Sequence, residues 1–152
     1  MRRLPALVLL AALTVRVEAL ELLEPAGAAA LTHASAPRVI ALWSLDCTYC
    51  DGNLRRLAAL ARERSFELVT VATDAPERRA EVEARLAALE LHDGTAWIYG
   101  ESSPERLNYR IDPDWGGELP RTIVVGAGEA LQISGALTPA QIDNLRRLLP
   151  PQ

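Results

Sequence analysis

Two cysteines, Cys47 and Cys50, carry all the thiol chemistry of this 152-residue chain. They stand as Cys-Thr-Tyr-Cys directly after the apolar run Arg38-Val-Ile-Ala-Leu-Trp43. A strand that ends in such a pair and runs on into a helical pattern is how a thiol–disulfide exchange site is built. The first thiol then sits at a helix N-terminus, where backbone N–H groups and the helix dipole favour the thiolate. The second lies one turn on, close enough to close a small disulfide.

Other uses of the pair fit less well. A structural zinc site needs about four ligands, and beyond the cysteines there are only His33 and His92, both distant in sequence. A c-type haem needs histidine directly after the second cysteine, where this chain has Asp51. A purely structural disulfide over so short a span removes little chain entropy and stabilises little.

The elements that must position the pair can be read around it. Val39 to Trp43 is unbroken and apolar, as in a central strand covered on both faces. Leu54, Leu57, Ala58, Leu60 and Ala61 recur at helical spacing through about Arg64. Phe66 to Thr73 reads as a second central strand. Asp74 with Glu77 three residues on, and Pro76 between, marks a helix start, with Val82, Leu86 and Leu89 as its buried stripe and the intervening Arg and Glu residues as a solvated face. His92-Asp93-Gly94 ends that helix, Thr95 to Tyr99 is a short strand, and Ser103-Pro104-Glu105 opens a short helix. Ile111 to Pro120 is a loop by composition. Thr122–Val125 and Ala130–Ser134 form a hairpin through Gly126-Ala-Gly-Glu129. Thr138-Pro139-Ala-Gln141 is a capping box, with Ile142, Leu145 and Leu148 or Leu149 packing the last helix. This order implies an α/β sandwich around a mixed central sheet.

The N-terminus adds a compartment. Met1-Arg2-Arg3, an apolar stretch from Leu4 to Val15 and Val17-Glu18-Ala19 read as a secretory signal peptide over residues 1–19. The stretch is short of the ~20 residues that span a bilayer comfortably; an uncleaved anchor is the alternative, because Arg16 and Glu18 charge the cleavage region. Residues 20–37 are an Ala-rich lead-in with room for one short strand. Cleavage would leave about 133 residues, one domain with a real core. The formal charge is −4, and loss of Arg2, Arg3, Arg16 and Glu18 takes away a net +2. So acidic a domain, without a basic stripe, is not expected to bind nucleic acid. The 16 basic residues are all arginine, so no lysine ammonium is at hand to depress a thiol pKa.

Trp43-Ser-Leu-Asp-Cys-Thr-Tyr-Cys50 resembles the W-A-x-W-C-x-x-C segment of thioredoxin-fold proteins, and Leu119-Pro120-Arg121-Thr122 resembles that fold's cis-proline loop. With the export signal and the stretch Asp112-Pro-Asp-Trp-Gly-Gly-Glu-Leu-Pro-Arg-Thr122, the chain is most similar to the TlpA/ResA/CcmG-like branch of bacterial thiol–disulfide oxidoreductases. The resemblance implies a thioredoxin-like sandwich over residues 38–152, its central mixed β-sheet flanked by helices. Cys47 would be the nucleophile and Cys50 the resolving thiol. Pro120 would face the disulfide in cis, and the Leu119 backbone would pair with an extended substrate. Asp46, Thr48, Tyr49 and Trp43 would complete the substrate surface, unless Trp43 packs beneath Tyr49. No cofactor or metal is implied beyond the redox-active disulfide. The implied partners are protein disulfides and a membrane electron donor of the DsbD/CcdA kind, with the protein a periplasmic monomer.

The chain departs from that pattern at three positions. Asp46 replaces the usual tryptophan; a carboxylate there either opposes Cys47 thiolate formation or caps the active-site helix. Ala41 stands where thioredoxin has a buried aspartate, and Asn53 where the branch often has glutamate. Asp46, Asp51 or Glu118 would then have to accept the proton of the resolving thiol. Three competing functions are a disulfide-introducing oxidase, a thiol peroxidase suggested by Ser44-Leu-Asp-Cys47, and a copper-binding module. The first lacks a DsbA-like helical insertion, the second an upstream proline (Ile40 is there), and the third the C-x-x-x-C spacing.

Overall fold

The computed structural model describes residues 20–91 and 94–152; the signal-peptide reading and the His92-Asp93 helix end lie outside them. Six strands form one sheet: β1 (Glu21–Leu23), β2 (Arg38–Trp43), β3 (Glu67–Ala72), β4 (Thr95–Tyr99), β5 (Arg121–Val125) and β6 (Leu131–Ser134), in the order β1-β4-β3-β2-β5-β6. The first four run parallel, while β5 is antiparallel to β2 and β6 antiparallel to β5. The helices are α1 (Pro25–Leu31), α2 (Cys50–Ala61), α3 (Arg79–Ala88), α4 (Pro104–Ile111) and α5 (Pro139–Leu148). The sheet is mixed and flanked by helices, as the sequence pattern implies.

Strand β2 shows why its sequence is unbroken and apolar. Side chains alternate across a strand, and Val39, Ala41 and Trp43 enter one core with Leu54, Leu57 and Leu60 of α2, Val82 and Leu86 of α3, and Leu145 of α5. Ile40 and Leu42 enter the other, with Ala28 and Leu31 of α1, Leu107 and Ile111 of α4, and Trp115. A strand buried on both faces has no polar side to show.

Residues 20–37 hold the expected short strand and also helix α1, which composition alone did not reveal. Pro25 takes the first helical position and Ala28 and Leu31 are fully or nearly buried, so tertiary burial overrides the cost of Gly27. The helix start read at Asp74 is shifted: a 3-10 turn over Pro76–Arg78 precedes α3, and its cap residue is Ala75, with no side-chain cap. Asp74 is used elsewhere. The α5 capping box forms in full between Thr138 and Gln141, and Leu149 rather than Leu148 turns inward.

The β5–β6 turn depends on Gly126, whose φ is +71° and whose missing Cβ would collide with the Ala36 carbonyl oxygen. Gly126→Ala combines left-handed strain with a backbone clash. It is expected to cost about 2 kcal/mol or more, read as an earlier urea midpoint with an unchanged slope.

Candidate active site

Strand β2 ends at Trp43, and a turn through Leu45 and Asp46 delivers Cys47. Cys47 and Cys50 are joined by a disulfide, with Cα atoms 5.4 Å apart. The Cys50 N–H donates to the Cys47 carbonyl at 3.2 Å. Helix α2 begins at Cys50 itself, after cap residue Tyr49, which provides no side-chain cap. Cys47 therefore precedes the helix by a turn rather than lying in its first turn. The two sulfurs are unequal: Cys50 is fully buried in the core, whereas Cys47 is partly exposed. Only Cys47 is open to an incoming sulfur.

Thr48 and Tyr49 are exposed beside it, Tyr49 by 67%. Trp43 is 1% exposed and packs in the same core as Cys50, so it underlies the site and offers no surface to a substrate; of its two expected places it takes the buried one. Burial of the last inward residue of a two-sided strand accounts for this. Its indole N–H has no hydrogen-bond partner among the described residues.

Strand β5 brings in the second half of the site. Leu42 pairs with Arg121 across the antiparallel ladder, so the turn leaving β2 and the segment entering β5 emerge at the same end of the sheet. The Leu119–Pro120 bond is cis; Pro120 is buried and Leu119 partly so. The loop leading there is braced internally. Arg121 donates to Asp112 at 2.5 Å, and the Trp115 indole N–H donates to the Glu118 carbonyl at 2.8 Å. Trp115 is buried on the α1/α4 side of the sheet, where it packs the loop against the core.

The proposed proton acceptors fare differently. Glu118 accepts from the Ser134 hydroxyl and, at 3.4 Å, from Arg121. The Ser134 hydrogen bond comes first among the causes that hold its carboxyl below the usual range, which makes it a weak base near neutrality. Asp51 is paired with Arg85 of α3 at 2.8 Å. Asn53 is buried and serves as a clamp: its Nδ2 donates to Thr122 Oγ1 at 3.2 Å and its Oδ1 accepts from the Leu137 N–H at 2.9 Å. Ala41, at the other position where a carboxylate was expected, pairs directly with Thr122. Neutral groups thus occupy both places.

Asp46 does not cap α2. Its carboxylate, 81% exposed, accepts from Arg78 Nη1 at 2.7 Å. The same nitrogen donates at 2.9 Å to Asp74, whose side chain is only 3% exposed. Asp74 in turn accepts from the Leu45 N–H at 3.0 Å. Burial pushes the Asp74 carboxyl up, outweighing the Leu45 hydrogen bond and the Arg78 charge. Sequence reading placed Asp74 at a helix start and gave Arg78 no role. The available signal was position: both follow β3, the neighbour of β2, at the end of the sheet where parallel strands deliver their loops.

Among the described residues no cluster of three or more His, Cys, Asp or Glu side chains is arranged to hold a metal ion. None of their helices is long and apolar enough to cross a membrane.

Fold and site together define a thioredoxin-like domain with a C-x-x-C disulfide at the end of its central strand. Solved structures share that fold. A thioredoxin-related protein from Neisseria meningitidis serogroup B matches with a TM-score of 0.58 and 18% identity over 77% of this chain and 87% of that one. A secreted Mycobacterium tuberculosis disulfide oxidoreductase, described as homologous to E. coli DsbE, matches with 0.55 and 16% over 79% and 83%. StoA from Bacillus subtilis matches with 0.52 and 18% over 76% and 84%. No protein-family model and no curated protein matches the chain.

Proposed function

We propose that this protein is an exported thiol–disulfide oxidoreductase that reduces disulfides of other exported proteins. The observation that carries the reading is the asymmetric Cys47–Cys50 disulfide, one sulfur partly exposed and the other buried, at the end of the central strand. In the reduced protein the Cys47 thiolate attacks one sulfur of a substrate disulfide. The attacked sulfur stays bonded to Cys47 as a mixed disulfide, while the other substrate sulfur leaves as a thiolate and takes a proton. Cys50, deprotonated, then attacks Cys47 Sγ, breaks the mixed disulfide and releases the second substrate thiol. Two electrons pass to the substrate and the Cys47–Cys50 bond re-forms.

Thr48 and Tyr49 provide exposed contact surface beside Cys47, Leu119 offers its backbone to an extended substrate, and Pro120 shapes the groove. The substrates are oxidised cysteines of periplasmic proteins, of the kind found in apocytochrome c or at copper sites. A membrane donor of the DsbD/CcdA type resupplies electrons to a monomeric protein. The reductive direction is supported by the short connection between β3 and β4, whose described residues carry one α-helix and a 3-10 turn and leave no place for an oxidase-type helical insertion. The secreted M. tuberculosis neighbour is consistent with export.

The test is the reduction potential of the Cys47–Cys50 pair, by alkylation and mass shift in graded thiol buffers. A value at or below about −220 mV is expected of a donor-fed reductase, and a value near about −120 mV would assign the protein to the oxidases.

A further inference from the structure

We infer that Arg78 is a positioning residue that sets the reactivity of Cys47 by holding and neutralising Asp46. This rests on the proposed reading of Cys47 as the attacking thiol. A carboxylate one residue before that thiol would oppose thiolate formation, and an arginine always carries a charge to offset it.

The geometry makes the pairing more than a chance surface contact. The turn that presents Cys47 is gripped at two successive residues by one short segment after β3. Asp74 takes the Leu45 N–H at 3.0 Å, and Arg78 takes the Asp46 carboxylate at 2.7 Å. Arg78 Nη1 also bonds Asp74 at 2.9 Å, so the guanidinium is anchored on a nearly buried group. Its Nε and Nη2 go to Glu81 at 3.2 and 3.1 Å. All three guanidinium nitrogens are thus engaged, and the cation is fixed against the turn rather than free in solvent. Other charged groups on the elements packed here include Glu77 in the 3-10 turn, Arg79 at the start of α3, the Asp51–Arg85 pair between α2 and α3, Arg55 and Arg56 of α2, and Glu118 and Arg121 just before and at the start of β5. In a chain without lysine, Arg78 is the arginine paired directly with the Leu45–Asp46 turn.

Two consequences are specific. Removing Arg78 leaves the Asp46 charge uncompensated, raising the Cys47 thiol pKa. Removing the Asp46 charge while keeping Arg78 lowers it.

The measurement is the pH profile of iodoacetamide alkylation at Cys47 in the reduced full chain, with the site assigned by peptide mass. For Arg78→Gln the profile is expected to move to higher pH and the rate at pH 6 to fall about threefold, near the middle of the range for one exposed ion pair. Arg78→Lys should recover most of that loss. In an Asp46→Asn background, Arg78→Gln should change the rate by less than half as much, a coupling that loss of packing alone does not produce. Asp46→Asn by itself, which leaves Arg78 on Asp74 and Glu81, should raise the rate. An unmoved profile in Asp46→Asn, or an equal Arg78→Gln effect with and without Asp46, would overturn the inference. Alkylation needs no protein substrate, so failure of the wild type to reduce insulin would strike the proposed function and leave this result standing.

Discussion

Cys47→Ser is expected to reduce insulin disulfides at least about 1,000-fold more slowly than the wild type, because the attacking sulfur is the one group the reaction cannot replace. Cys50→Ala should behave differently. It keeps the partly exposed Cys47 and loses the buried thiol that resolves the mixed disulfide. Incubation with an oxidised substrate should then accumulate a covalent adduct, visible on a non-reducing gel and released by added dithiothreitol. Equal inactivity without any adduct in Cys50→Ala would contradict the assignment of attack to Cys47. The asymmetry follows from burial: an incoming substrate reaches Cys47, whereas Cys50, inside the core at 0% exposure, meets only the sulfur already bonded beside it.

The second large effect is expected at Asn53. Its amide joins three parts of the fold: helix α2, strand β5 through Thr122, and the segment entering α5 through Leu137. Thr122 and Leu137 are both almost wholly buried. Asn53→Ala strands the Leu137 N–H without an acceptor and removes the Thr122 partner. The expected loss is about 3 kcal/mol, since a buried donor without a partner costs its full desolvation penalty. In a domain of this size that corresponds to a melting temperature lower by roughly 10 °C. The Cys47 alkylation profile should stay where it is, because Asn53 carries no charge. A destabilisation under about 1 kcal/mol would mean that water enters and satisfies both groups.

The sequence was most legible where local signals and tertiary demands coincide. The run Val39 to Trp43, the Thr138 capping box and the glycines after Val125 each carry their own reason for the structure they adopt, and all three elements form as expected. The C-x-x-C pair was legible for the same reason, since its chemistry lies in a spacing. What escaped was decided by contacts distant in sequence. Asp74 has the pattern of a helix start, but the unpaired N–H of Leu45, 29 residues earlier, claims its carboxylate. Arg78 looks like one of several surface arginines until the fold sets it against Asp46, 32 residues away. Trp43 follows a strand's alternation into the core, which decides between the surface and the buried place that its motif position left open. Helix α1 is likewise a product of burial against α4 rather than of its own Ala- and Gly-containing sequence.

Residues Pro150 to Gln152 are stitched to the base of helix α2. The Ser65 N–H donates to the Pro150 carbonyl at 2.8 Å, Arg64 and Pro151 form a β-bridge, and the Gln152 amide donates to the Ala61 carbonyl at 2.8 Å. The helix that starts at Cys50 and ends at Ala61 has 12 residues, so that base lies about 18 Å along its axis from the sulfur pair. A linker fixed at Gln152 to an electrode or a bead would therefore leave the two sulfurs pointing outward into solution. Immobilised that way, the protein would keep its electron-exchanging pole on the side away from the support.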